Sequence, residues 1–134
     1  MKKKLKTFIP CEVFKVEPMF LVNYSPEEYR KEISKLVELK EYELDDLDFA
    51  EGQQSTFSPT KDKRIAILRV VWLRNFNPSN PEDVGCLVHE ICHLVNRIHQ
   101  HKGIPFNGEY NNDETFSYMV DFFTREFLIN YKKK

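Results

Sequence analysis

The residues of this chain best suited to chemistry are two histidines at positions i and i+4, with a glutamate directly after the first. They are His89, Glu90 and His93, in the pattern H-E-x-x-H. On an α-helix such histidines lie on the same face, so both imidazoles could bind one metal ion. Glu90 could then take a proton from a metal-activated water. The motif predicts a metal-dependent hydrolase if the segment is helical and a third ligand lies nearby.

The segment around this motif has the sequence of an amphipathic helix. Ser79 or Asn80 can cap it, Pro81 suits its first turn, and two acidic residues follow. The motif is expected on the face opposite the apolar side chains, and Lys102-Gly103 should end the helix. Apolar residues recur at helical spacing at Val84, Leu87, Val88, Ile91, Val95 and Ile98.

A third ligand is expected at the start of a second helix. A catalytic zinc usually has three protein ligands and one open position. The second helix begins at Asn111-Asn112-Asp113-Glu114. Two antiparallel helices joined by a short loop would bring Glu114 back towards the histidine pair, so Glu114 is the predicted third ligand. Asp113 is the alternative ligand, and it could equally cap the helix or occupy its first turn.

Two further side chains of the second helix are candidates for the site. Its apolar residues run from Phe116 to Phe127, and Tyr118 and Asp121 lie on the other side. Either could orient a histidine or donate to a developing oxyanion. We therefore include Tyr118 with Glu90 as a candidate catalytic residue, with plain helix surface as the alternative. Asp121 and Arg125 are also spaced for an ion pair.

Other metal-binding residue types near the motif carry weaker expectations. Cys86 precedes His89 by about one turn on the same side. It could be a soft fourth ligand that closes the site and makes a zinc structural. It could instead be a small packed residue. His99 and His101, near the end of the helix, are expected to face solvent.

The chain from about Arg64 to Tyr131, about half of its length, resembles small zincin-like proteins encoded by bacteriophages. The resemblance implies a metallopeptidase of the gluzincin type, with His89 and His93 as zinc ligands, Glu90 as general base and Glu114 as third ligand. The chain departs from the thermolysin pattern, because Tyr118 stands where that group has an aspartate. The matching segments are Ile65–Leu68, Pro81–Gly85, Leu87–His93, Asn112–Glu114 and Phe116–Tyr118.

Composition narrows the class of protein. The 134 residues fit one domain, 1–134, and 41% hydrophobic residues suffice for a core. A net charge of −1 leaves no electrostatic footprint for nucleic acid. No apolar run is long enough for a membrane span or a signal peptide. The three cysteines form no CxxC pair, which favours a reducing interior. We therefore expect the protein in the host cytoplasm.

The remaining sequence predicts an α+β fold. Alternation over Cys11–Val16 predicts a strand, and Ser25-Pro26 begins a helix. Gln54–Phe57 and Arg64–Trp72 are expected as two strands joined by a hairpin turn at 59–63. The predicted order is β-α-β-β-α-α, with a small, mainly antiparallel sheet beside the motif helix and the C-terminal helix.

Resemblance to zincins also places a sheet edge beside the metal helix, where an extended peptide binds by strand addition. Ile65–Trp72 or Gln54–Phe57 would line that cleft. Trp72 and Arg74 are possible substrate contacts, although core packing is the stronger expectation for Trp72. The predicted function is a zinc-dependent peptidase acting on a protein or peptide. The alternative is a non-catalytic phage morphogenesis or host-interaction protein with a structural or vestigial zinc site.

Overall fold

The computed structural model describes residues 2–39, 45–58, 60–62, 64–104 and 110–133, with the backbone alone for 45, 46 and 110–113. These residues form an α+β fold, as predicted, with a sheet between helices. A short 3-10 helix spans Asp45–Phe49. The main elements are β1 (Leu5–Phe8), β2 (Met19–Val22), α1 (Pro26–Ser34), β3 (Gly52–Phe57), β4 (Leu68–Leu73), α2 (Pro81–Lys102) and α3 (Tyr110–Lys133).

The sheet has strand order β1-β2-β4-β3 and is mixed, although two of its three pairings are antiparallel. The outer pairings, β1 with β2 and β3 with β4, are antiparallel, whereas β2 and β4 are parallel. The two central strands are buried at every position. Full burial on both faces is typical of parallel strands covered by helices. The edge strand β3 is only half-buried.

The strand predicted at Cys11–Val16 is wrong. These residues form a turn closed by a single bridge, in which Cys11 N donates to Val16 O at 2.8 Å. Lys15 has φ 56, and the side chain of Val13 is 72% exposed. The residues with alternating types therefore form a turn and not a strand. The strands lie on either side of it, as the antiparallel pair β1 and β2. The strand predicted from Arg64 begins only at Leu68.

Helix α1 covers one face of the sheet. Its predicted start is confirmed: Ser25 and Glu28 form a capping box and Pro26 opens the first turn. Its buried Tyr29 stacks on Trp72 with ring centroids 5.2 Å apart. The indole of Trp72 is fully buried and donates to Tyr24 O at 2.8 Å. Trp72 is thus a core residue, on the sheet face covered by α1.

Helices α2 and α3 cover the other face, and their core includes Phe20, Val71 and Phe123. Helix α2 has the predicted limits: the Asn80 side chain accepts from Glu82 N at 3.0 Å, and Gly103 ends the helix with φ 69. None of the helices in the described part of the chain is long and apolar enough to cross a membrane.

The expectation for His99 is wrong, because its side chain is 1% exposed. Its Nδ1 lies 3.0 Å from Val95 O, and its ring meets Phe116 edge-on at 5.6 Å. His99 follows Val95 by four residues and therefore lies on the apolar stripe. His101 is exposed as expected, with Nδ1 3.1 Å from the Arg69 guanidinium.

Candidate metal centre and cleft

The two histidines of the motif converge on the exposed side of α2. His89 Nε2 and His93 Nε2 are 3.1 Å apart, and the two rings are nearly perpendicular at 83°. Tetrahedral zinc with Zn–N bonds of about 2.0–2.1 Å separates two nitrogen ligands by roughly 3.3 Å. The observed separation is close to that value. The two imidazoles therefore have a separation suited to two coordination positions of one metal ion.

Glu90 lies beside the histidines but is more buried than the helix pattern predicts. Glu90 is only 7% exposed, whereas the helix pattern places it on the exposed face. The difference arises because β3 packs against this flank of α2. Glu90 nevertheless lines an open cleft together with His93. A carboxylate at this position is close to the histidines and screened from bulk water.

The cleft lies between the edge strand β3 and α2 and has a volume of about 400 Å³. Gly52, Gln53 and Gln54 form its wall on β3. Of the two strands predicted to line a cleft, β3 does so, whereas β4 lies inside the sheet. Arg74, another predicted contact, donates instead to Asp48 O at 2.9 Å. The wall on α2 consists of Glu90, His93, Asn96, Arg97 and Gln100.

A close approach between β3 and α2 shapes this cleft. A Cβ added to Gly52 would lie 3.0 Å from Cys86 Sγ and 3.1 Å from Trp72 O. Only a residue without a side chain fits there without displacing the strand or the helix. Glycine at position 52 thus lets the sheet edge approach the motif helix closely.

Cys86 has the surroundings of a packed thiol. Burial raises its pKa, and the negative charges of Glu90, Asp83 and Glu51 raise it further. The thiolate is the form that binds metal, so these neighbours work against its formation. Cys86 also packs against the core between α2 and the sheet. The structure therefore favours the packed alternative over a fourth ligand.

Glu114 does not line the cleft that contains Glu90 and His93. It is exposed and lines a shallow pocket with Phe14 and Tyr118. Phe116, in the same turn of α3, contacts His99, which is about 9 Å beyond His93 along the helix axis. No group of three His, Cys, Asp or Glu residues able to hold a metal occurs among the described residues. The ligand role of Glu114 stays a prediction, and the side chain of Asp113 lies outside the described part.

Tyr118 and Asp121 lie on the surface of α3. Tyr118 is 50% exposed and its ring stacks near that of Phe122, with centroids 6.5 Å apart. Asp121 accepts from Arg125 at 2.9 Å, which is the ion pair that their spacing indicates. Neither residue lines the cleft with Glu90. A catalytic role for Tyr118 stays a prediction.

Sequence reasoning missed several polar residues of the cleft, above all Arg97. The signal was present, because Arg97 follows His93 by four residues and so continues the motif face. The contribution of Gln53 could not be foreseen, since it depends on which strand takes the sheet edge. No protein-family model matches this chain, and no curated protein or solved structure shows detectable similarity to it.

Proposed function

We propose that this protein is a zinc-dependent peptidase in which His89 and His93 bind the metal and Glu90 is the general base. The observation that carries this proposal is the 3.1 Å separation of the two Nε2 atoms next to a cleft lined by Glu90. The described residues offer two of the three ligands that a catalytic zinc usually has. Glu114 is our candidate for the third.

The chemistry divides between the metal and the chain. Zinc, when bound, lowers the pKa of water towards 7 and polarises a carbonyl. Glu90 accepts the proton of the attacking water and passes it to the leaving amine. Glu90 is largely buried, which limits its contact with bulk water. The outer edge of β3, which pairs with no other described strand, can hold an extended substrate through backbone hydrogen bonds, which supports a peptide as the substrate.

The test combines metal content with hydrolysis by the full-length protein. Wild type should carry about one zinc per chain, and His89→Ala and Glu114→Ala should lose it or bind it much more weakly. Glu90→Gln should retain zinc but lose hydrolysis of a peptide pool by at least about 100-fold. Full turnover in Glu90→Gln would contradict the base assignment. Unchanged zinc content in Glu114→Ala would contradict the third ligand.

The competing function is a non-catalytic phage morphogenesis or host-interaction role with a structural or vestigial zinc site. The observation in its favour is that no three-ligand metal group is assembled within the described residues. Absence of zinc after growth in zinc-supplemented medium would favour this role. Cys86 packs against the core, which supports an open site instead. The three free cysteines support our proposal of a reducing, cytoplasmic location in the host.

A further inference from the structure

Arg97 is a cation without a partner at the cleft. It is exposed, follows His93 by one helical turn, and lines the cleft. Among the described residues it has no ion pair, whereas the surface arginines Arg64 and Arg125 pair with aspartates. An arginine at a cleft that forms no ion pair with the described residues is available to a carboxylate from another molecule.

The surroundings of Arg97 are polar but mostly uncharged. Amide side chains of Gln54, Asn96 and Gln100 line the same cleft. The other charged lining residue in the described part is Glu90, which is largely buried. Amides can donate to a carboxylate or to peptide groups, and they do not compete with it for the guanidinium as another carboxylate would. The cleft therefore combines one accessible positive charge with neutral hydrogen-bonding walls.

We propose that Arg97 binds a carboxylate of the peptide held in the cleft, so that the substrate class is an acidic peptide. This inference rests on the proposed peptidase function. The carboxylate comes either from an Asp or Glu side chain or from a free chain terminus. The planar guanidinium matches both, because it can donate two parallel hydrogen bonds to one carboxylate.

If the bound peptide runs along α2, the helix geometry fixes where the carboxylate lies. His93 and Arg97 are one turn apart, about 6 Å along α2. An extended peptide advances about 3.3 Å per residue, and alternate side chains point to the same side. The carboxylate bound by Arg97 therefore belongs to the residue about two positions from the peptide bond that lies over His93. Arg97 is in this sense a specificity-determining residue, separate from the groups that carry out hydrolysis.

Peptide binding tests this inference without relying on hydrolysis. Fluorescence anisotropy would follow end-blocked decapeptides of Ala and Thr with a single Glu, Gln or Lys, plus a Gln peptide with a free carboxyl terminus. The full-length protein is measured with a chelator and again with zinc. We expect the Glu peptide to bind about fivefold more tightly than the Gln peptide. If only the free-terminus peptide binds more tightly than the end-blocked Gln peptide, this would support the same site and identify the chain terminus as the source of the carboxylate.

Variants on α2 assign the effect to one side chain. Arg97→Gln should abolish the preference for a carboxylate, and Arg97→Glu should reverse it in favour of the Lys peptide. Lys102→Ala is the matched control, because Lys102 is an exposed cation of the same helix that does not line the cleft. It should retain the preference, and thermal melting should show all three variants folded.

The outcomes separate this inference from the peptidase proposal. Equal binding of all peptides by wild type, or a preference that survives Arg97→Gln, would overturn the role of Arg97. A preference that depends on Arg97 in a protein that hydrolyses nothing would support the carboxylate site and contradict only the peptidase. Hydrolysis of Glu and Gln peptides at equal rates would support the peptidase and contradict the role of Arg97.

Discussion

Cys86 illustrates how neighbours decide the chemistry of a single side chain. It precedes His89 by one turn and could have been a ligand by spacing alone. The half-buried thiol packs near Gly52, and burial together with the negative charges of Glu90, Asp83 and Glu51 raises its pKa. The residue type and spacing indicated two roles, and only the packing distinguishes them.

We predict that Cys86 reacts slowly with iodoacetamide. Its raised pKa means less thiolate at pH 8 than for an ordinary thiol, so its rate should keep rising at higher pH. Peptide mapping by mass spectrometry measures the rate at each cysteine. Glu51→Gln removes one negative neighbour and should speed alkylation at Cys86 while leaving Cys92 unchanged. Alkylation of Cys86 as fast as that of a free cysteine peptide would contradict this prediction.

At the scale of elements, local signals predicted the helices better than the strands. The caps and prolines at the starts of α1 and α2 act within one turn, so a short window of sequence contains them. Strand β2 was missed because four consecutive buried apolar residues show no alternation. The turn at Cys11–Val16 shows alternation without being a strand. Its identity depends on the pairing of β1 with β2, which lies outside any local window.

The contact between β3 and α2 yields a prediction about stability. Gly52→Ala should destabilise the protein by about 1–3 kcal/mol, because the Trp72 carbonyl cannot move away from the new methyl group. It should also weaken peptide binding by displacing the wall of the cleft. Urea denaturation measures the first effect and fluorescence anisotropy the second.

Two variants serve as controls for Gly52→Ala. Gly85→Ala, in α2 with open space around the added Cβ, should instead stabilise the protein by about 0.5–1 kcal/mol. Adding Cys86→Ala to Gly52→Ala should recover part of the loss, since one of the close contacts disappears. If Gly52→Ala leaves the free energy of unfolding unchanged, the strand and the helix can separate at no cost.

An ion-pair cluster joins β1 to α1, and its contribution to the free energy of unfolding depends on pH. Hydrogen bonds from Lys35 and Lys6, at 2.9 and 3.0 Å, hold the pKa of Glu32 below its ordinary value. Its stabilisation is therefore complete above the unfolded pKa near 4.5 and is lost as pH falls through the lower folded value.

We accordingly expect Glu32→Gln to lower the free energy of unfolding by about 0.5–1 kcal/mol at pH 7. The difference from wild type should disappear as the pH falls below the folded pKa of Glu32. Urea denaturation across this pH range measures it. Glu38→Gln changes an exposed acid beyond the end of α1 and should have little effect. A deficit that persists in strong acid would mean that packing, not charge, is lost.

At the scale of the whole molecule, α1 covers one face of the sheet, and α2 and α3 cover the other. The α+β class followed from the sequence because element types alone indicate it. The parallel pairing of β2 with β4 did not, since it depends on the path of the chain around α1. The distance of Glu114 from His93 likewise depends on how far α2 extends before the chain turns, which no local pattern fixes, so its role as a ligand stays a prediction.

The proposed metal site predicts a change in global stability. Zinc at about 100 times its dissociation constant should add about 2.7 kcal/mol to the free energy of unfolding and raise the melting temperature by several degrees. Differential scanning calorimetry with zinc and with chelator measures this shift. His89→Ala should abolish it, whereas His101→Ala, at an exposed histidine of the same helix, should retain it. An identical shift in His89→Ala would place zinc elsewhere.

The outer edge of β3, unpaired within the described part of the chain, has a consequence for how the protein behaves at high concentration. Its sequence, Gly-Gln-Gln-Ser-Thr-Phe, contains neither charge nor proline, the usual means by which a sheet edge discourages pairing with another sheet. A surface able to take up a foreign strand can equally take up the same strand of a second molecule. Self-association would then compete with peptides for the cleft, so apparent affinity should fall as protein concentration rises.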